Sequence, residues 1–119
     1  MVTTHAAIAD PGQLDPTFSN DGRIILRDAR AVEVRLQADG KVLVVDANGE
    51  VRRYTGMGTL DRTYGGGDGK VQTDVAAIAA ETRADGSLLV MGSMAGSVSF
   101  GLARLTPGGA FDRSFGGDG

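Results

Sequence analysis

Six aspartates recur at matched positions of this chain, and their type and spacing most invite a chemical role. Asp15, Asp61 and Asp112 each stand two residues before a hydroxyl, Thr17, Thr63 and Ser114, and three before an aromatic ring, Phe18, Tyr64 and Phe115. Asp21, Asp68 and Asp118 each precede a glycine just beyond those rings. Hard carboxylate oxygens on glycine-rich turns suit calcium, which makes Asp21, Asp68 and Asp118 the candidate metal ligands. The dense Asp-x-Asp-x-Asp-Gly run of an EF-hand loop is missing, however, and one carboxylate per turn does not make a site. The preferred reading is structural: aspartate side chains accept hydrogen bonds from backbone amides in Asx turns. On that reading no metal and no cofactor is expected.

The other residues with chemical potential are read the same way. Gly65, Gly66 and Gly67 suggest a phosphate cradle, but no Gly-Lys-Ser/Thr ending follows and no helix is expected after them. His5 is the sole histidine, so neither a Ser-His-Asp triad nor a histidine metal site has support. Thr17, Thr63 and Ser114 are expected to bond nearby backbone. Phe18, Tyr64 and Phe115 could stack sugars, but are expected as buried anchors where sheets meet. Arg53 and Arg104 hold equivalent positions, and with Glu33, Arg35 and Glu81 they could meet a small polar ligand in a central channel. A solvated strand face is the preferred account of those charges. Paired carboxylates acting as a hydrolase would need defined separations between loops, which nothing here supplies.

Composition narrows the class. The 119 residues suit one domain, with 41% apolar and 23% charged residues in a globular balance. Glycine, at 19 residues, is over-used without a collagen period, which predicts many tight turns. A net charge of −3 offers no electrostatic case for nucleic acid or an anionic membrane. There is no cysteine, hence no disulfide framework or cysteine zinc site. No apolar run reaches the roughly 18 residues of a membrane span. The first ten residues lack a basic start and a long apolar stretch, so no signal peptide is expected in them. A processed leader could also leave the alanines around Ile8, but a flexible tail over residues 1–13 is the expectation.

The matched aspartates belong to a longer motif present three times, at 14–22, 60–69 and 111–119. Asp15 and Asp61 are 46 residues apart, and Asp61 and Asp112 are 51 apart. Self-similarity at that period marks a repeat architecture. Between the copies the chain is strand and turn. Residues 23–27, Arg-Ile-Ile-Leu-Arg, are a strand candidate. Residues 32–36 alternate apolar and charged, placing Val32, Val34 and Leu36 on one face. Asp39-Gly40 and Asn48-Gly49 are hairpin signals joining this run to residues 41–45 and 51–54. The second unit replays the order with residues 70–73, 76–82, the Asp85-Gly86 turn, 88–91, a looser turn over 92–97, and 100–105. The alanine-rich stretch 75–80 has helical propensity, but its alignment with 32–36 predicts a strand.

Each repeat of about 50 residues therefore holds four short strands, the content of a propeller blade. The order and residues resemble the delta-60 repeat family, a bacterial β-propeller-type repeat. The resemblance rests on Leu14-Asp15-Pro16-Thr17-Phe18 with Asp21-Gly22, on residues 37–44 (Gln-Ala-Asp-Gly-Lys-Val-Leu-Val), and on Leu102-Ala103-Arg104-Leu105. Departures are Ser19-Asn20, where glycine is expected after the ring, and Val51-Arg52-Arg53-Tyr54, a degenerate copy of 102–105. The expected architecture is all-β, two four-stranded antiparallel propeller-type blades forming an incomplete β-propeller. Its parts are a tail over 1–13, a first repeat over 14–59, a second over 60–110, and the start of a third over 111–119. Propellers close with about four to eight blades, so both outer faces should be apolar and bare. Further blades of a longer parent chain, or copies of this chain, are the expected partners, with the former preferred. The resemblance implies a secreted or surface protein without an assigned chemistry. The expected function is a non-catalytic structural or protein-interaction scaffold, with a calcium- or carbohydrate-binding propeller module as the alternative.

Overall fold

The computed structural model describes residues 10–94 and 96–119. Most of the expected tail, residues 1–9 with His5, lies outside the described residues. Seven strands follow one another: β1 (Ala31–Leu36), β2 (Val42–Asp46), β3 (Glu50–Tyr54), β4 (Lys70–Gln72), β5 (Val75–Thr82), β6 (Leu88–Met94) and β7 (Phe100–Leu105). They form a four-stranded antiparallel sheet ordered β1-β2-β3-β4 and a three-stranded one ordered β5-β6-β7. The two sheets are not closed into a ring.

The hairpins form where Asp-Gly and Asn-Gly predict them. Gly40 and Gly49 take positive φ, and the preceding Asp39 and Asn48 each accept the amide of the residue two further on. Residues 75–80 are strand, not helix, and packing explains why. Ala77, Ala80 and Ala103 are small enough for the first sheet to approach, so Leu43, Val45 and Val51 share one buried cluster with them and with Val75, Leu88, Val90 and Leu105. Burial of each such Leu or Val contributes about 1.5–3 kcal/mol, which exceeds the helical preference of a few alanines.

Four expectations need correction. Residues 23–27 form no strand. The segment at the same repeat position in the second unit is β4, which pairs with β3 of the sheet before it. No such sheet precedes residues 23–27 among the described residues, so their backbone groups have no ladder to join. The second sheet has three strands rather than four, with no counterpart of β4 beside β7 among the described residues. The looser turn begins later than expected, because Gly92 and Ser93 lie inside β6. The first sheet is thus offset from the sequence repeat, taking its last strand, β4, from beyond the next motif copy. Val32 is the extra residue of a β-bulge, as is Ile78 in β5, so the shared face of β1 is Val34 and Leu36.

Candidate functional site

The motif at 60–69 forms a seam joining the two sheets. Its turn is built by Asp61, whose Oδ1 accepts the Thr63 amide at 3.1 Å and the Thr63 hydroxyl at 2.6 Å. Two backbone bonds pin it to β3: Asp61 N–H to the Arg53 carbonyl at 2.8 Å, and Arg53 N–H to the Gly69 carbonyl at 3.0 Å. This places Tyr64 between the sheets, where its side chain has 0% exposure. Gly109 of the second sheet's 106–110 loop lies on the ring. Its φ is +89°, and a Cβ there would stand 2.8 Å from ring carbons and 2.7 Å from the Gly65 nitrogen. Gly65 N–H donates to the Gly108 carbonyl at 2.9 Å, fastening loop to seam.

Arg53 organises the charges. Its guanidinium lies 4.7 Å over the Tyr64 ring, a cation–π contact. Nη1 donates to the Pro107 carbonyl at 2.8 Å and to Gln37 Oε1 at 3.1 Å, and Nη2 donates to Thr63 Oγ1 at 3.1 Å. Nε is 2.9 Å from Asp61 Oδ2, an ion pair in which the N–H does not point at the oxygen. Lys41 Nζ adds a second cation 3.1 Å from the same oxygen. The Thr63 hydroxyl bond, with help from Lys41 and Arg53, holds the Asp61 carboxyl far below the usual range against the opposing effect of burial. Burial pushes the Tyr64 phenol upward, with the Arg53 charge opposing. Gln37 completes the bridge by donating to the Gly86 carbonyl at 3.1 Å.

The other motif copies share parts of this set. In the seam at 111–119, Asp112 Oδ1 accepts the Ser114 hydroxyl at 2.6 Å, Arg104 Nε donates to Asp112 Oδ2 at 2.8 Å, and the guanidinium lies 4.8 Å over Phe115. In the seam at 14–22, Asp15 and Thr17 repeat the 2.6 Å bond, and Phe18 lies against Gly58 as Tyr64 lies against Gly109. No arginine covers Phe18 among the described residues. The residue after the ring donates its amide to a loop of the following sheet: Ser19 to Met57 at 2.8 Å, and Gly65 to Gly108. Gly116 makes no such bond among the described residues.

The calcium candidates are not brought together. Asp21 and Asp68 sit in separate turns, where each accepts the amide two residues on, from Arg23 at 3.0 Å and Lys70 at 3.2 Å. Asp118 is exposed beside the edge of β7. Among the described residues no group of three or more His, Cys, Asp or Glu is placed to hold a metal ion. Gly65, Gly66 and Gly67 form the seam turn, and no helix follows them. Glu33, Arg35 and Glu81 form a clasp between the sheets: Arg35 pairs with both carboxylates and donates to the Ala80 carbonyl at 2.9 Å.

Two corrections belong here. The hydroxyls of Thr17, Thr63 and Ser114 donate to the aspartate two residues earlier rather than to backbone. Arg53 is buried rather than on a solvated strand face. Gln37, Pro107 and Gly109 also belong to the site, a role that their own residue types and spacing do not announce. Their only signal was the paired recurrence of Arg53 with Asp61 and Arg104 with Asp112.

Among family models, one described as a domain of unknown function (DUF5122), β-propeller, matches residues 83–115. It begins before the β5–β6 turn and ends on Phe115. With two antiparallel sheets and no helix among the described residues, it supports a β-propeller-type repeat. Searches of curated proteins and of solved structures returned no match.

Proposed function

We propose that this chain is a non-catalytic β-propeller segment of the delta-60 type, a structural and protein-interaction scaffold whose free faces are covered by further blades. One observation carries the reading. Leu43, Val45 and Val51 are buried on the first sheet, while of their register counterparts on the second Leu89 and Met91 are only half-buried and Leu102 is 40% exposed. Conversely, Ala80, Leu88 and Val90 are buried on the second sheet, while their counterparts on the first, Val34, Val42 and Val44, line an open groove. Each sheet thus bares the face that the other buries, so both faces fit sheets of the same repeat. Such sheets would come from a longer parent chain or from copies of this one. Placement in a bacterial secreted or surface protein is supported by the resemblance alone. No calcium role is proposed, because Asp21 and Asp68 already serve as turn acceptors.

A tandem chain tests the reading: residues 14–119 followed directly by 23–119, so that the seam at 111–119 feeds the next strand. Added neighbours should raise the melting temperature above that of the single chain and lower binding of a hydrophobic dye per unit mass. An unchanged melting temperature with dye binding proportional to mass would sink it.

A further inference from the structure

We infer, resting on the scaffold reading, that two copies of this chain associate head to tail. The free face and β7 edge of one copy's second sheet seat on the free face of the other copy's first sheet, and the seam at 111–119 displaces the partner's seam at 14–22.

The contact inside the chain is the template. The first sheet presents Leu43, Val45 and Val51 to the second, and the same contact between copies would present Leu89, Met91 and Leu102. The receiving surface is the groove of about 340 Å³ on the first sheet, where Val34 is 56% exposed. Both halves of the interface therefore lie on one chain, which is what a second copy requires and an unrelated protein does not. The contact is heterologous, with different residues on its two sides.

The strand edge agrees. β4 completes the first sheet by aligning Lys70, Val71 and Gln72 with Arg52, Val51 and Glu50. Arg23, Ile24 and Ile25 hold the same repeat positions, lie in no strand, and leave Ile25 67% exposed. The matching partners on β7 are Ala103, Leu102 and Gly101, at an edge that carries no fourth strand among the described residues. Arg104 N–H already bonds the Gly119 carbonyl at 2.7 Å, as Arg53 N–H bonds Gly69, so the seam delivers its end where that pairing begins.

Seams 14–22 and 111–119 then compete for one site, the Met57–Gly58 loop of the receiving copy. The resident seam is the weaker competitor. Its turn carries Ser19 at φ 53° and Asn20 at φ 67°, where the incoming seam has glycines, and no arginine covers its ring among the described residues. Phe115 brings Arg104 with it, and Gly116 brings the free amide that Ser19 now supplies to Met57.

Sedimentation velocity on the full chain over a concentration series tests this. The unmodified chain should form species larger than a monomer, growing with concentration. Val34→Lys and Leu102→Lys change exposed residues at opposite ends, so each alone should be monomeric, while their mixture should give a 1:1 dimer and nothing larger. Phe115→Ala should weaken association by about tenfold, the scale of one buried aromatic anchor. Phe18→Ala should strengthen it, because it weakens the competing seam. A monomer at every concentration, or a mixture that does not pair, overturns head-to-tail association. Weaker association of Phe18→Ala overturns the exchange of seams. Should the tandem chain be stabilised while single chains stay monomeric, the scaffold reading stands and this inference falls.

Discussion

The seams at 60–69 and 111–119 contain the same ion pair, the same hydroxyl-to-carboxylate hydrogen bond and the same guanidinium over an aromatic ring. Their surroundings differ. Arg53 and Asp61 keep 8% and 7% of their side-chain surface exposed, against 19% and 22% for Arg104 and Asp112. The turn chemistry is therefore local, needing only an aspartate and a hydroxyl two residues on. Burial comes from elsewhere, from residues 106–110 laid over Tyr64 and from Gln37 reaching across. The first seam teaches the complementary point. Asp15 and Thr17 form the same turn without any arginine, so the ion pair is not what folds the motif. It is what lets a charged strand residue sit between two sheets.

The largest difference between the two seams should appear on removing their arginines. Arg53→Ala leaves the buried Asp61 with Lys41 as its remaining cation and removes the donors to Pro107, Gln37 and Thr63. Breaking a buried pair from one side costs about 3–5 kcal/mol, a large share of the roughly 5–15 kcal/mol that holds a domain folded. Arg104→Ala removes the matching pair where water still reaches both groups, and should cost about 1 kcal/mol or less. Urea unfolding of the two variants measures both values. Equal losses would show that the loop over Tyr64 adds nothing to the pair.

Acid should separate the seams next. Asp61 has its folded pKa depressed, first by the Thr63 hydroxyl, and Asp112 is lowered by the Ser114 hydroxyl. A depressed folded pKa contributes stability that is fully present above the unfolded value of about 3.9, and that stability is lost as pH falls through the folded value. Melting temperatures should therefore drop below about pH 4. Asp61→Asn should remove more of that acid dependence than Asp112→Asn, because Asp61 faces two cations, Arg53 and Lys41. Identical pH profiles for the two variants would contradict the difference between the seams.

The strands and hairpins were legible because their information is local. Asp39-Gly40, Asn48-Gly49 and the alternation around Val34 fix their own conformations. Residues 23–27 were misread for the opposite reason. A β-branched run states a preference, but a strand needs a partner, and none adjoins this run among the described residues. The site was half legible: Asp61, Thr63 and Tyr64 could be named from recurrence. Gln37, Pro107 and Gly109 could not, because they meet Arg53 and Tyr64 only after the sheets pack, and no spacing in the sequence records that meeting. The burial of Arg53 was hidden likewise, since its copy Arg104 holds the same repeat position with more water around it.

The smallest effect isolates a single oxygen. Tyr64 occupies the position that Phe18 and Phe115 fill in the other seams, and its Oη is buried with no hydrogen-bond partner among the described residues. A buried hydroxyl left unpaired costs about 1–3 kcal/mol, whereas its aromatic ring packs and accepts the Arg53 cation equally well without it. Tyr64→Phe should therefore stabilise the fold by about 1 kcal/mol, which for a domain of this size raises the melting temperature by several degrees. Phe115→Tyr adds the same oxygen to the open seam, where water can reach it, and should change stability by less than about 0.5 kcal/mol. Calorimetry on the two variants gives the comparison directly. A lower melting temperature for Tyr64→Phe would mean that Oη is bonded between the sheets, and that the buried seam differs from the open one in its hydrogen bonds as well as in its exposure.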